Sequence, residues 1–313
     1  MSYHIISIDE SPCKLSVSRG QLLARSEHGT QQIPLEDVAS IIISSLQCSM
    51  SNHFLISAAR ARISVIICDS YTPAALLLPA DRATDTALLR HLADMPAQLR
   101  RRLWEKTLTA KCLNQHKLAS GWLPEHPSLE AFEQLARSNK ENREGDCARR
   151  FWQLFAEAAG EATFRRGREA GGCNPLFNYA YAILLSCILR NLYALGIDPA
   201  FGICHSSRAH AAPLAYDLME PFRPAFDANV MRWIRMQKEQ GDDTWRQAES
   251  CITRDYRRHI LGTLLAEVGE EEDTIPLRLA IERSIRSFRA AVLASQTTPY
   301  QAWKLTNIKW AGS

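Results

Sequence analysis

One stretch limits the folding options of this chain more than any other. It is the apolar run Leu176–Leu189, which contains Asn178 and ends at Arg190. A membrane-spanning helix needs about 20 apolar residues, and this run is shorter. It is read instead as a buried core helix, Pro175–Leu195, ended by Gly196. The rest of the composition agrees with a packed interior. Of 313 residues, 46% are hydrophobic and 23% charged, the usage of an ordinary globular protein.

The texture changes along the chain. Residues 1–80 read as β-rich. His4–Ile8 alternates, Leu15–Val17 and Gln21–Ala24 flank Arg19-Gly20 as a hairpin, and Val38–Ile43 is β-branched. Asn52–Ala61 has helical spacing, Ile63–Cys68 reads as a buried strand, and Ala74–Leu78 as a last one. The expected unit is a sheet with one helix packed on it. Pro79 to Thr86 is polar, and residues 81–86 are taken as a linker. Residues 87–313 read as helical throughout, with stretches at Leu99–Ala119, Leu129–Ala136 and from Glu144 onward. The expected fold class is therefore α+β: a small amino-terminal β domain followed by a larger all-helical domain.

Charge and cysteine usage narrow the function. The net charge is +3, but residues 1–80 carry net −1 and the remainder net +4. A nucleic acid, if bound, should favour the second part. Nine cysteines contain no C-x-x-C pair, which suits a reducing cytoplasm. No signal peptide or membrane span is expected. No G-x-x-x-x-G-K-[ST] or G-x-S-x-G occurs, which argues against a P-loop enzyme and a nucleophilic hydrolase.

The segment Phe201–Asp227 holds the candidate chemistry. His205 precedes Asp217, and Asp217 and Glu220 are three apart, so both acids project from one face of a helical turn. Carboxylates beside Leu218, Met219 and Phe222 need a partner, because burying a lone charge is costly. A divalent cation is one such partner; Arg223 is another. Glu144 lies on the apolar face of its own helix, three residues before Cys147. It is either a metal ligand or an ordinary acid at a helix N-terminus. His210 rivals His205. Carboxylates with one imidazole suit Mg²⁺ or Mn²⁺ rather than structural zinc. Basic residues follow each acidic segment: Arg165, Arg166 and Arg168 after the first, Arg232, Arg235 and Lys238 after the second. They are candidate DNA phosphate contacts or solvated helix faces.

At these residues the sequence resembles the CRISPR-associated integrase of spacer acquisition, the universal adaptation nuclease family. Glu144-Gly145, Ala148 and Phe151-Trp152 are similar to its E-G-x-x-A segment. Asn174-Pro175-Leu176, Asn178-Tyr179 and Tyr181-Ala182 look like its N-P-x-N-x-x-x-x-Y helix. Gly202 to His205, Tyr216-Asp217-Leu218 and Glu220-Pro221-Phe222-Arg223-Pro224 look like its G-x-x-H and D-L-x-E-x-F-R-P segments. Lys111, Asn114 and Gln115 resemble its K-x-x-N-Q helix. The length and first domain look most like the type II branch.

The resemblance implies a β domain that mediates dimerisation and a helical catalytic domain. It implies Mg²⁺ or Mn²⁺ on Glu144, His205 and Glu220, with Asp217 in support. It implies two homodimers bridged by a small ferredoxin-like partner, with the type II effector nuclease as a possible further partner. The implied reaction inserts short foreign double-stranded DNA into the CRISPR repeat array by 3′-hydroxyl attack on a phosphodiester. One departure is Glu220, where the family often has Asp; its Glu-Pro-Phe-Arg-Pro context ranks it ahead of Asp217 as a ligand. Two other readings stand beside this one: a metal-dependent nuclease using water, and a non-catalytic DNA-binding scaffold.

Overall fold

The computed structural model describes residues 4–9, 12–69, 72–77, 85–167, 170–205, 212–247, 250–270 and 273–310. The first part contains strands β1 (His4–Ile8), β2 (Cys13–Ser18), β3 (Gln21–Ser26), β4 (Gly29–Pro34), β5 (Val38–Ile43) and β6 (Cys48–Met50). Helix α1 (Asn52–Arg60) and strands β7 (Ser64–Asp69) and β8 (Thr72–Leu77) complete it. The expected strands and helix are all present, and two more strands join them. They form two four-stranded sheets rather than one, ordered β1-β5-β7-β8 and β4-β3-β2-β6. In the first, β1, β5 and β7 run parallel and β8 is antiparallel. The second is a β2-β3-β4 meander with β6 parallel to β2. Strand β4 escapes notice in the sequence because Thr30, Gln31 and Gln32 are all exposed, so no apolar alternation marks it. The β2–β3 hairpin turns through Arg19 and Gly20, both left-handed at φ 50° and 74°, as a tight two-residue hairpin requires.

Strand β5 shows why its sequence is an unbroken apolar run. Ile41 and Ile43 face a core with Leu15, Leu22, Phe54, Ala58 and Val65. Ile42 faces the opposite way, into a core that includes Ile66, Cys68 and the long helix below. A parallel sheet covered on both faces has no polar side to show.

Helices α2 (Thr86–Ala93), α3 (Ala97–Trp122), α4 (Leu129–Arg137), α5 (Arg143–Ala159) and α6 (Asn174–Ala194) follow. Then come α7 (Pro213–Met219), a 3₁₀ turn (Glu220–Phe222), α8 (Arg223–Glu239), α9 (Arg254–Leu261) and α10 (Leu277–Ala294). The second part is not wholly helical. Strands β9 (Glu267–Glu270), β10 (Asp273–Pro276) and β11 (Asn307–Lys309) form a small antiparallel sheet, ordered β10-β9-β11. Of the expected linker, residues 81–84 lie outside the described residues; Asp85 caps α2 by accepting from Leu88 N at 3.0 Å.

The apolar run is α6. Leu176, Phe177, Ala180, Ile183, Leu184, Ile188 and Leu192 have no exposure. Gly196, at φ 69°, ends the helix, and Ile197 N–H turns back to Leu192 O at 2.9 Å, as a left-handed cap allows. One side of α6 meets the first sheet, where Ser186 Oγ pairs with Ser40 Oγ at 3.1 Å and Ser40 Oγ donates to Ser64 O at 3.1 Å. Another side meets α5 through Phe177, whose ring lies 5.2 Å from Phe155 and 5.0 Å from Trp152. Among the described residues, no helix is long and apolar enough to cross a membrane. Phe177→Ala should cost about 3–5 kcal/mol, read as a lowered urea midpoint at unchanged m-value.

Candidate active site

Three elements bring charge to one point. Lys111 sits in the middle of α3 and is 8% exposed. Glu144 stands in the first turn of α5, and Glu220 opens the 3₁₀ turn after α7. Gly145 lets α5 start where it does: a Cβ there would come within 2.7 Å of Asn142 Oδ1. Lys111 Nζ lies 2.7 Å from Glu144 Oε1 and 2.6 Å from Glu220 Oε2. The two carboxylates are thus no further apart than those two contacts laid end to end. Arg223 Nη2 forms an ion pair with Glu220 Oε1 at 3.0 Å, so the arginine partner weighed from the sequence is realised as well. Burial alone would raise the Glu220 carboxyl, but Arg223 and Lys111 outweigh it and hold it below its usual range. Burial alone would lower Lys111, but Glu220 and Glu144 outweigh it and hold the ammonium above its usual range.

His205 is positioned by Asp217. Asp217 is fully buried, and its carboxylate accepts backbone N–H groups from Ile203 (2.6 Å), Cys204 (3.0 Å) and His205 (3.1 Å). It also takes His205 Nδ1 at 2.6 Å. Successive N–H groups wrapped on one anion form a nest. Gly202 permits it, since a Cβ there would meet His205 O at 2.3 Å. The hydrogen bond to Asp217 raises the imidazole above its usual range; burial opposes this, and the charges of Asp217, Glu220 and Glu144 add to it. The protonated imidazole therefore adds stability below the unfolded histidine pKa, and that part is lost as pH rises through the raised value. Glu220 behaves oppositely: its lowered pKa adds stability above the unfolded value, lost as pH falls through the folded one.

Behind Glu220 lies a second polar layer. Tyr181 sits between two guanidinium groups, with Arg223 Cζ 4.6 Å and Arg166 Cζ 5.5 Å from its ring centre. Its hydroxyl donates to Asp227 Oδ1 at 2.5 Å. Asp227 is fully buried, its Oδ2 makes no hydrogen bond, and burial pushes it up to about 7.

The basic candidates divide. Arg165 and Arg235 are exposed. Arg166 is bound internally to Asn174 and Asn178 Oδ1, both at 2.9 Å. Arg232 lies over Trp310 at 4.8 Å and donates to Asn229 Oδ1. Lys238 donates to Ala159 O and to Glu161 Oε1. Arg168 and His210 lie outside the described residues. The composition singled out neither Lys111 nor Tyr181; only the family motifs did. Asp227 left a faint signal, an acid within the apolar Pro224–Val230 stretch. Trp303, discussed below, left none.

Glu144, Glu220 and His205 are the groups able to hold a hard divalent cation. Among the described residues no three His, Cys, Asp or Glu side chains already converge on a metal position; the Lys111 ammonium stands between the two acids. The donors nonetheless fit Mg²⁺ or Mn²⁺. Glu220 Oε2 is buried with an ion pair but no hydrogen bond of its own, and Asp217 fixes the imidazole as such ligands require.

Two variants test these electrostatics. Lys111→Met should cost about 3 kcal/mol at pH 7 by removing the buried ammonium that faces Glu220 Oε2, and less at pH 4, measured by urea unfolding at both. Asp227→Asn should flatten a slope. Between about pH 4 and 7 folded Asp227 keeps a proton that the unfolded chain releases, so stability falls by about 1.4 kcal/mol per pH unit. Unfolding of both proteins at pH 4.5, 5.5 and 6.5 reads the difference.

Comparison with known proteins identifies the family. The sequence profile of the family described as "CRISPR associated protein Cas1" matches residues 6–266. The CRISPR-associated endonuclease Cas1 of Neisseria meningitidis serogroup C is 29% identical over 284 residues, 89% of each chain. That of Korarchaeum cryptofilum is 27% identical, covering 74% of this chain and 78% of its own. Among solved structures, a casposase bound to its integration product superposes with a TM-score of 0.74 at 18% identity, covering 98% of this chain and 96% of that one. A Cas1 protein from Thermotoga maritima gives 0.74 at 16%, covering 98% and 99%. A chain of a Cas6-RT-Cas1–Cas2 complex gives 0.77 at 18%, covering 98% of this chain and 36% of that one. The profile spans most of the chain and includes the Lys111, Glu144, His205 and Glu220 segments: the chain belongs to the Cas1 family of CRISPR-associated proteins.

Proposed function

We propose that the chain is a divalent-metal-dependent DNA endonuclease and integrase of CRISPR adaptation. One observation carries the reading: Glu144 and Glu220, from distant segments, meet on one buried cation within electrostatic reach of an imidazole that Asp217 orients. Family membership supports it, as does the likeness to a casposase bound to integration product.

Glu144, Glu220 and His205 would hold Mg²⁺ or Mn²⁺, which when bound polarises a phosphodiester and lowers the pKa of a hydroxyl or water. The protein does the rest. Asp217 accepts a hydrogen bond from His205 Nδ1–H, so in the neutral ring the lone pair lies on Nε2. Arg223 fixes one oxygen of Glu220. Lys111 offsets the two acids, which would otherwise repel an approaching phosphate. In the reaction the 3′-oxygen of a DNA fragment bonds to a target phosphorus. The target's own 3′-oxygen leaves with its electron pair and gains a proton, while the attacking hydroxyl loses one. One phosphodiester replaces another, so no energy source is required.

The proposed substrates are double-stranded foreign fragments and the CRISPR repeat, with exposed Arg165 and Arg235 as phosphate contacts. The β-rich residues 1–80 are proposed to mediate a homodimer. Two such dimers would be bridged by a small ferredoxin-like partner, and the type II effector nuclease is a candidate further partner. Solved complexes of relatives with Cas2 and with DNA support this assembly. Nine cysteines, none in a disulfide, suit a reducing cytoplasm.

A labelled duplex with free 3′-hydroxyls and a supercoiled repeat plasmid test the reaction, with the small partner present. In Mg²⁺ the duplex should become covalently joined. EDTA should abolish joining, and Glu144→Ala should lower it by more than about 100-fold, beyond the usual effect of a supporting residue. Nicking without joining would favour a nuclease that uses water. Activities indifferent to EDTA and to the substitution would favour a scaffold.

A further inference from the structure

Glu220 sits on a single 3₁₀ turn, Glu220–Phe222, between two helices. Such a turn has few hydrogen bonds of its own, so something outside must fix it. The structure supplies that from the far end of the chain. Asn114 on α3 donates through Nδ2 to Pro221 O at 2.8 Å and to Trp303 O at 3.1 Å. Its Oδ1 accepts from Leu305 N at 2.8 Å. Both amide hydrogens and the oxygen are thus engaged, which also settles which way the amide points. The Phe222 ring stacks on Trp303, with centroids 5.1 Å apart and planes 13° from parallel. Phe222 is therefore held by the segment 300–305 directly, and Pro221 through Asn114, which the same segment engages on two sides.

That segment is itself tied to α3. Lys106 Nζ donates to Thr297 O at 2.7 Å and Tyr300 O at 3.0 Å, and Thr107 Oγ1 pairs with Tyr300 OH at 3.0 Å. It is tied to α10 as well: Ser284 Oγ donates to Gln301 O at 2.9 Å, Gln301 N donates to Ser287 Oγ at 2.9 Å, and the Tyr300 ring lies 5.6 Å from Phe288. A cavity of about 910 Å³ borders it, lined by Lys106, Ala110, Val268, Gln301 and Trp303 among others. The segment lies outside residues 6–266, the span the family profile matches.

We infer that residues 300–305 form a strap that positions Glu220, with Trp303 and Asn114 as its positioning residues. The inference rests on the proposed metal site and adds to it. A ligand displaced by about 1 Å loses much of its effect, so loosening the strap should weaken cation binding more than it weakens the fold.

The test uses the full chain. Mn²⁺ affinity is measured by electron paramagnetic resonance, stability by thermal melting, and strand transfer as kcat and KM for DNA. Trp303→Ala should raise the Mn²⁺ Kd about tenfold and lower kcat, with KM for DNA within about twofold of the wild type; Trp303→Phe, which keeps an aromatic face on Phe222, should restore both. If Trp303→Ala does not fold, Asn114→Ala, which frees Pro221 O and Leu305 N, carries the same expectation. A folded variant with unchanged Mn²⁺ Kd, or a Phe variant no better than the Ala variant, overturns the strap and leaves the metal site standing. A wild type that takes up no Mn²⁺ overturns both.

Discussion

The site depends on one buried ammonium shared by two acids. Lys111 meets Glu144 and Glu220, and Arg223 takes the second oxygen of Glu220. Two negative and two positive charges balance there, with Lys111 and Glu220 buried and Glu144 and Arg223 partly exposed. Taking any of them out of water costs several kcal/mol, so each is tolerable only because the others are present. This explains why helices α3 and α5 and the turn before α8 approach so closely at their polar residues. Asp217 works differently. It is ringed by backbone N–H groups and by the imidazole, so it shapes the loop that carries His205 rather than facing outward.

The helical core makes this arrangement possible. Helix α6 is buried nearly all round and touches the first β-sheet, α5, α7 and α8 through its side chains. Tyr181 on α6 reaches the guanidinium of Arg223 and the carboxylate of Asp227. The same helix that seals the β-rich part therefore also backs the acid turn. Two of its polar side chains point to partners on other elements, Ser186 toward Ser40 and Tyr181 toward Asp227.

Much of this was legible from residue pattern. Alternation and β-branching marked β1, β2, β3, β5 and β7, and 3.6-residue spacing marked α5, because burial on one face imprints a period; α6, buried nearly all round, showed instead as an unbroken apolar run. The second sheet was harder to see. Its β4 is polar and exposed and its β6 is three residues long, so neither carries a buried face to read. Strands β9 and β11 are short pieces paired across the chain, and pairing at a distance leaves no local mark. At the site, local spacing identified Asp217 and Glu220 as neighbours. That Lys111 would join Glu220 to Glu144, or that Arg166 and Lys238 would be engaged internally, depends on tertiary contacts that no window of sequence contains.

The clasp on Asn114 has a consequence for the order of synthesis. Its two partners in the tail, Trp303 and Leu305, lie 189 and 191 positions further along the chain. A ribosome therefore delivers the acids and the histidine well before the residues that hold the acid turn still. Contacts of such long range close late in folding. A nascent or prematurely ended chain would carry Glu144, His205 and Glu220 with the acid turn still lacking its contacts to Trp303 and Leu305.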